Sequence, residues 1–158
     1  MKEKDGGVLL DDLDKAILRI LQKNARQTYT EIGRSLNLAH STIYDRIKKM
    51  ERHGVIRRYT ILVEPKKAGL KLLTAVVTVF TEPKESERVA EQLAEYQEVT
   101  EVYTSLSEEL SIIAKVVAED RESLHAFISN VVAPLPGVLR IRTSIITRKH
   151  KEENLSIS

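Results

Sequence analysis

The sequence contains no cysteine and no tryptophan, and aromatic residues fill only 4% of its 158 positions. Without thiols, disulfide frameworks, cysteine-based zinc sites and thiol nucleophiles are excluded. Any core must therefore be aliphatic. Long apolar runs are missing as well: the longest mostly apolar stretch, Leu72 to Phe80, is far too short to span a bilayer. Met1 to Gly7 is charged and ends in Gly-Gly, with no apolar signal core behind it. A cytoplasmic location with no membrane partner is expected. No G-x-G-x-x-G, Walker or G-x-S-x-G string occurs. His40, His53, His125 and His150 show neither i,i+4 pairing nor a carboxylate in ligand spacing, and Glu108-Glu109 fits a solvated hairpin tip. The expectation is a non-enzyme with no metal, cofactor or catalytic residue.

What is present is a charge imbalance. The net charge is only +2, yet residues 1–60 hold 13 Lys/Arg against 8 Asp/Glu, whereas residues 61–158 hold 12 against 15. Within 25–60 alone there are 8 basic and 3 acidic residues. A basic third joined to a mildly acidic remainder suits a nucleic-acid reader carrying a separate partner module.

The apolar period divides the chain in the same place. Leu13, Ile17, Ile20 and Leu21 follow i, i+4, i+7, i+8, one face of an amphipathic helix. Asp11 and Asp12 stand where a cap and a favourable dipole interaction belong, and Asn24 to Gln27 closes the helix. Thr28-Tyr29-Thr30-Glu31 has the form of a capping box opening a second helix through Ile32 and Leu36. Asn37 suits a tight left-handed turn. A third helix is expected from about His40 to Arg52, with Ile43, Ile47 and Met50 inward and Gly54 ending it. Val55 to Val63 is β-rich and fits a short strand or wing. Glu64 to Gly69, polar with Pro and Gly, reads as a hinge.

Beyond the hinge, Leu73, Ala75, Val77 and Val79 alternate as a strand. A helix is expected over Glu85 to Tyr96, then strands at Val99–Leu106 and Ser111–Ala118. Asp120 caps another helix carrying Leu124, Phe127, Ile128 and Val131. Leu139, Ile141, Thr143 and Ile145 form a last strand. The order β-α-β-β-α-β is the ferredoxin-like arrangement. The fold class is thus α+β: an N-terminal winged-type helix-turn-helix of three helices, then a C-terminal ferredoxin-like domain. Boundaries are expected at 1–9 (tail), 10–60 (helix-turn-helix), 61–70 (hinge), 71–150 (sheet domain) and 151–158 (tail). A small open sheet with Val76 and Phe80 on its uncovered face calls for self-association.

With Ile43, Ile47 and Met50 buried, Ser41, Asp45, Lys48 and Arg52 point outward, flanked by Tyr44 and Lys49. Small hydroxyls, a tyrosine and lysines can enter a major groove, bond base edges and reach phosphates at its rims. The candidate contacts to double-stranded DNA are His40, Ser41, Thr42, Tyr44, Arg46, Lys48, Lys49, Arg52 and Arg57. Arg46 fits a DNA contact or an ion pair with Glu51 equally well. Arg57 and Arg58 fit a backbone contact or a plain exposed strand.

These residues also carry a resemblance. Leu13-Asp14-x-x-Ile17-Leu18-x-x-Leu21-Gln22-x-x-Ala25-Arg26, Glu31-Ile32 and Leu38-x-x-Ser41-Thr42-Ile43-x-x-Arg46-Ile47-x-x-Met50-Glu51-x-x-Gly54-Val55-Ile56-x-x-Tyr59 resemble the N-terminal half of the Lrp/AsnC (feast/famine) transcriptional regulators. Pro136-Gly137-Val138 and Thr143-Ser144 resemble the end of that family's ligand-sensing domain. The resemblance implies a sequence-specific DNA-binding regulator that forms a homodimer, tetramer or octamer. It also implies palindromic sites and modulation by an amino-acid effector. Two positions depart from the family pattern. The usual Gly-Leu-Ser turn is Asn37-Leu38-Ala39, and Leu106 to Ser111 replaces Gly-x-x-Asp between the middle strands. An effector would be held between subunits near Ser105, Ser107, Glu109, Ser111, Gly137, Val138 and Arg140; Arg140 and Arg142 fit carboxylate partners or, more readily, plain exposed arginines on an outer sheet face. The competing expectation is a metabolite-binding oligomeric module whose N-terminal domain serves protein contacts.

Overall fold

Helix α1, Asp12–Lys23, begins at a reciprocal cap: Asp11 accepts from the Asp14 N–H at 2.8 Å, and Asp14 accepts from the Asp11 N–H at 3.2 Å. Such a box satisfies two first-turn donors that have no helical acceptor. Helix α2, Tyr29–Leu36, opens in the same way on Thr28 and Glu31. It ends where Asn37 adopts a left-handed conformation at φ 55°, and the Leu38 N–H then reaches back to the Gly33 carbonyl at 2.8 Å. Helix α3, His40–Arg52, starts without a side-chain cap, because Ala39 has no oxygen to offer. The three helices bury Ile17, Leu18, Leu21, Ile32, Ile43, Ile47 and Met50 together, an aliphatic core as the composition requires.

The computed structural model describes residues 9–106, 109–153 and 157. Met1–Leu62 with Lys151–Ser158 forms one unit and Val63–His150 the other. Half-buried Ile157 packs on the helical core, and Arg19 Nε donates to its carbonyl at 3.1 Å.

Residues 55–63 form no strand, which corrects the expected wing. A strand needs main-chain partners, and no ladder joins this segment to the sheet described below. Ile61, Leu62 and Val63 are left exposed.

The second unit runs β1 (Leu73–Thr81), α4 (Ser86–Ala94), β2 (Val99–Leu106), β3 (Leu110–Ala118), α5 (Arg121–Phe127) and β4 (Val138–Ile145). Its antiparallel sheet has the order β2-β3-β1-β4, the ferredoxin-like order. Ala75, Val77 and Val79 of β1 and Ile112, Ala114 and Val116 of β3 pack with Val89, Leu93, Leu124 and Phe127 of the helices. Helix α4 is shorter than the periodicity predicts. Helix α5, capped by Asp120 on the Ser123 N–H at 2.8 Å, passes into a π-helical turn at Ile128–Val132. Gly137, at φ +91°, lies so close to Glu85 that an added Cβ would meet its side chain, so the turn before β4 requires glycine.

Candidate nucleic-acid interface

Ile43, Ile47 and Met50 are fully buried, and their spacing fixes the rotation of α3. Ser41, Tyr44, Asp45, Lys49 and Arg52 are therefore exposed, with Thr42 and Lys48 half-buried. His40 is exposed at the first helical position. Arg57 is exposed in the irregular segment after the helix. Gly33 brings the two helices of the turn close: a Cβ there would come within 2.6 Å of the Leu38 carbonyl oxygen.

Two of the nine candidates, Arg46 and Lys48, are held in ion pairs within the protein. The Arg46 guanidinium binds Asp11 and lies 3.1 Å from Asp14. The ion pair with Glu51, one of the two readings of Arg46, does not form; Arg46 pairs with Asp11 and Asp14 instead. The hydrogen bond that Arg46 donates to Asp11 raises the Arg46 pKa above its ordinary value. The Asp14 N–H, with Arg46 behind it, holds the Asp11 carboxyl below the usual carboxylate range. Glu51 takes Lys48 at 2.7 Å and the Tyr59 hydroxyl at 3.1 Å. These partners lower the Glu51 pKa, while burial and the Glu51 bond push the Tyr59 hydroxyl up to about 12.

Sequence reasoning missed the aromatic group behind this face. Tyr29 at the start of α2 stands edge-on to His40 at 5.6 Å and to Tyr44 at 5.5 Å, and Lys48 Nζ lies 6.0 Å from the Tyr44 ring centre. Edge-to-face rings restrict one another, so Tyr44 is held rather than free. Only the i,i+4 spacing of His40 and Tyr44 on α3 hinted at it.

In the sheet unit, the register aligns Ser105, Ser111, Phe80 and Arg140 in one row across all four strands. Arg140 lies 3.9 Å over the Phe80 ring and binds Glu109 at 2.9 Å. Ser111 is buried, and Val138 pairs with Thr81 at the end of β1, next to Gly137. Arg142 stands beside Thr78, two residues along β4 from Arg140. Ser107 lies outside the described residues. Among the described residues no group of three or more His, Asp or Glu is placed to hold a metal, and no helix is long and apolar enough to cross a membrane.

Comparison with known proteins agrees with both units. The AsnC-type helix-turn-helix domain matches residues 10–51, and the Lrp/AsnC ligand binding domain matches residues 74–156. The HTH-type transcriptional regulator LrpA of Pyrococcus horikoshii is 38% identical over 143 residues, covering 90% of this chain and all of that one. The regulator FL11 of Pyrococcus abyssi is 36% identical over 145 residues, covering 92% and 94%. Among solved structures, E. coli AsnC superposes with a TM-score of 0.82 at 26% identity, covering 94% and 99%. A Neisseria meningitidis transcriptional regulator, in complex with L-Met, gives 0.81 at 25% identity, covering 95% and 97%.

Proposed function

The chain belongs to the Lrp/AsnC family of DNA-binding transcriptional regulators, and from that premise we propose that two copies read a palindromic operator, each through the outward face of α3. The exposed face of Ser41, Tyr44, Lys49 and Arg52 carries this reading. A two-fold dimer would set the third helices about 34 Å apart, one turn of DNA. Ser41, Thr42 and Tyr44 reach base edges or the adjoining backbone; Lys49 and Arg52 contact phosphate. Arg46, bound to Asp11 and Asp14, serves the interface by holding α3 against α1.

Band-shift titration on the gene's own upstream DNA, at several salt concentrations, tests this. A specific complex with steep salt dependence is expected; equal affinity for random duplex would instead favour a metabolite-binding module with a protein-contacting N-terminal domain. Lys49→Ala should weaken all sequences alike and reduce the salt slope by about one. Ser41→Ala should relax preference at one position by roughly 1–3 kcal/mol.

Self-association through the sheet unit is supported by the half-buried Val76 and Phe80 on the sheet face away from the helices and by exposed Leu106 and Leu139. Light scattering on the full chain should give a dimer or larger, and a micromolar monomer contradicts it. An amino-acid effector is supported by the ligand-binding domain match and by the row from Ser105 to Arg140. Methionine in the Neisseria relative makes it a first candidate. Thermal-shift screening of the twenty amino acids decides this, since a ligand at one hundred times its Kd stabilises by about 2.7 kcal/mol. Silence from all twenty refutes amino-acid sensing.

A further inference from the structure

Beside the base-reading face, the helical unit holds an open groove of about 390 Å3 that none of the nine candidate contacts except His40 lines. Its walls come from four segments: Arg26 and Gln27 between α1 and α2, Tyr29 and Thr30 at the start of α2, His40 of α3, and Tyr59 from the chain that follows α3. Among the described residues, no carboxylate lines it. Two acids bonded to its lining residues are occupied, Glu31 by the Thr28 N–H at 2.7 Å and hydroxyl at 2.9 Å, and Glu51 by Lys48 and Tyr59. The groove therefore offers a guanidinium, an amide, hydroxyls and an imidazole, with aromatic faces between them. That chemistry suits an oxyanion flanked by flat or apolar groups, as a sugar-phosphate link is.

We propose that this groove seats one phosphodiester of the DNA backbone bordering the major groove that α3 enters. The inference rests on the DNA-binding reading and deepens it. Arg26 supplies the charge that pairs with the phosphate. Tyr29 is the positioning residue: its ring touches both His40 and Tyr44 edge-on, so a seated backbone fixes the tyrosine that faces the bases. A free anion such as inorganic phosphate shares the chemistry, but an open groove adjoining the base-reading helix favours a strand passing through it.

The full chain is titrated with operator and with random duplex across a salt series, as wild type, Arg26→Ala and Arg26→Gln. Both variants should lose affinity for the two duplexes by the same factor, and the logarithmic salt slope should fall by about one. Arg121→Ala, the same charge change on the sheet unit, calibrates the effect of net charge alone. Tyr29→Leu should instead narrow the ratio of operator to random affinity, whereas Tyr29→Phe, which keeps the ring, should preserve it. Unchanged slopes in both Arg26 variants overturn the proposal. So does saturation of the groove by inorganic phosphate at millimolar concentration, followed through the His40 and Tyr29 ring signals, if DNA affinity is indifferent to Arg26. A wild-type chain with no DNA complex would refute the DNA reading itself, a different outcome from intact wild-type binding with insensitive variants.

Discussion

Gly33→Ala is a perturbation whose sign separates two accounts of α2. In an exposed helix interior, replacing glycine by alanine stabilises by about 1 kcal/mol. Here the added methyl carbon would lie 2.6 Å from the Leu38 carbonyl oxygen and 3.6 Å from Ile43 Cγ1. Carbon and carbonyl oxygen settle no closer than about 3.3 Å, so the turn must open by roughly 0.7 Å. The oxygen belongs to the backbone, and the Leu38 N–H is bonded to Gly33 itself at 2.8 Å, so no side chain can swing away to relieve the contact. Overpacking of this kind costs about 1–3 kcal/mol, and stretching the turn's hydrogen bond removes part of another ~1 kcal/mol. After the helix gain, net destabilisation of about 1–2 kcal/mol is expected, a fall in unfolding midpoint of roughly 3–8 °C. Operator affinity should fall further than random-duplex affinity, because the displaced element is the one that orients α3. Thermal unfolding by circular dichroism, paired with DNA titration, measures both. A variant more stable than wild type would show that the turn has room, and the reasoning would be wrong.

Asn37→Gly should change stability by no more than about 0.5 kcal/mol, since glycine adopts positive φ freely; Asn37→Val should cost about 1–2 kcal/mol, and equal effects in urea unfolding would contradict the left-handed cap. Ile47→Ala, at a fully buried position of α3, should lose about 2–5 kcal/mol and abolish operator binding at moderate temperature; a loss below 1 kcal/mol, read from the urea midpoint, would mean the core had collapsed into the cavity. Acid should weaken the fold at its helix starts. Asp11, Glu31 and Asp120 are each held below their ordinary pKa by a backbone N–H, so their stabilisation is complete above the ordinary carboxylate range and is lost as the pH falls through it. Unfolding midpoints should be flat from pH 7 to about 5 and drop below that; a flat profile to pH 3 refutes the linkage.

Local chemistry made much of the helical unit readable. Thr28 and Glu31 announce a helix start at fixed spacing, Asn37 announces a turn, and Ile43, Ile47 and Met50 announce which side of α3 is hidden. These signals are complete within a few residues of one another. The partners of Arg46 were not readable, because Asp11 and Asp14 lie more than thirty residues away and only packing of α1 against α3 brings them near. The Arg26–Tyr59 groove escaped notice for the same reason, being shared among four segments. Residues 55–63 misled in the opposite direction: their composition favours a strand, but composition cannot supply a neighbouring strand to pair with. In the sheet unit, alternation located the strands, whereas the row from Ser105 to Arg140 depends on register across three ladders.

The return of the chain to the helical unit at Ile157 matters for handling the protein. The chain leaves the helical unit after Leu62 and re-enters it at Lys151, where Ile157 packs and its carbonyl is bound by Arg19. In chain order the sheet unit is thus an insertion, with residues of the helical unit both before and after it. Cutting the chain after Leu62 would leave residues 1–62 joined to the remainder through non-covalent contacts alone, among them Ile157 on the helical core and the Arg19 bond to its carbonyl. A label inserted at Ile157 would therefore disturb the helical unit, on which that residue packs, and not the core of the sheet unit.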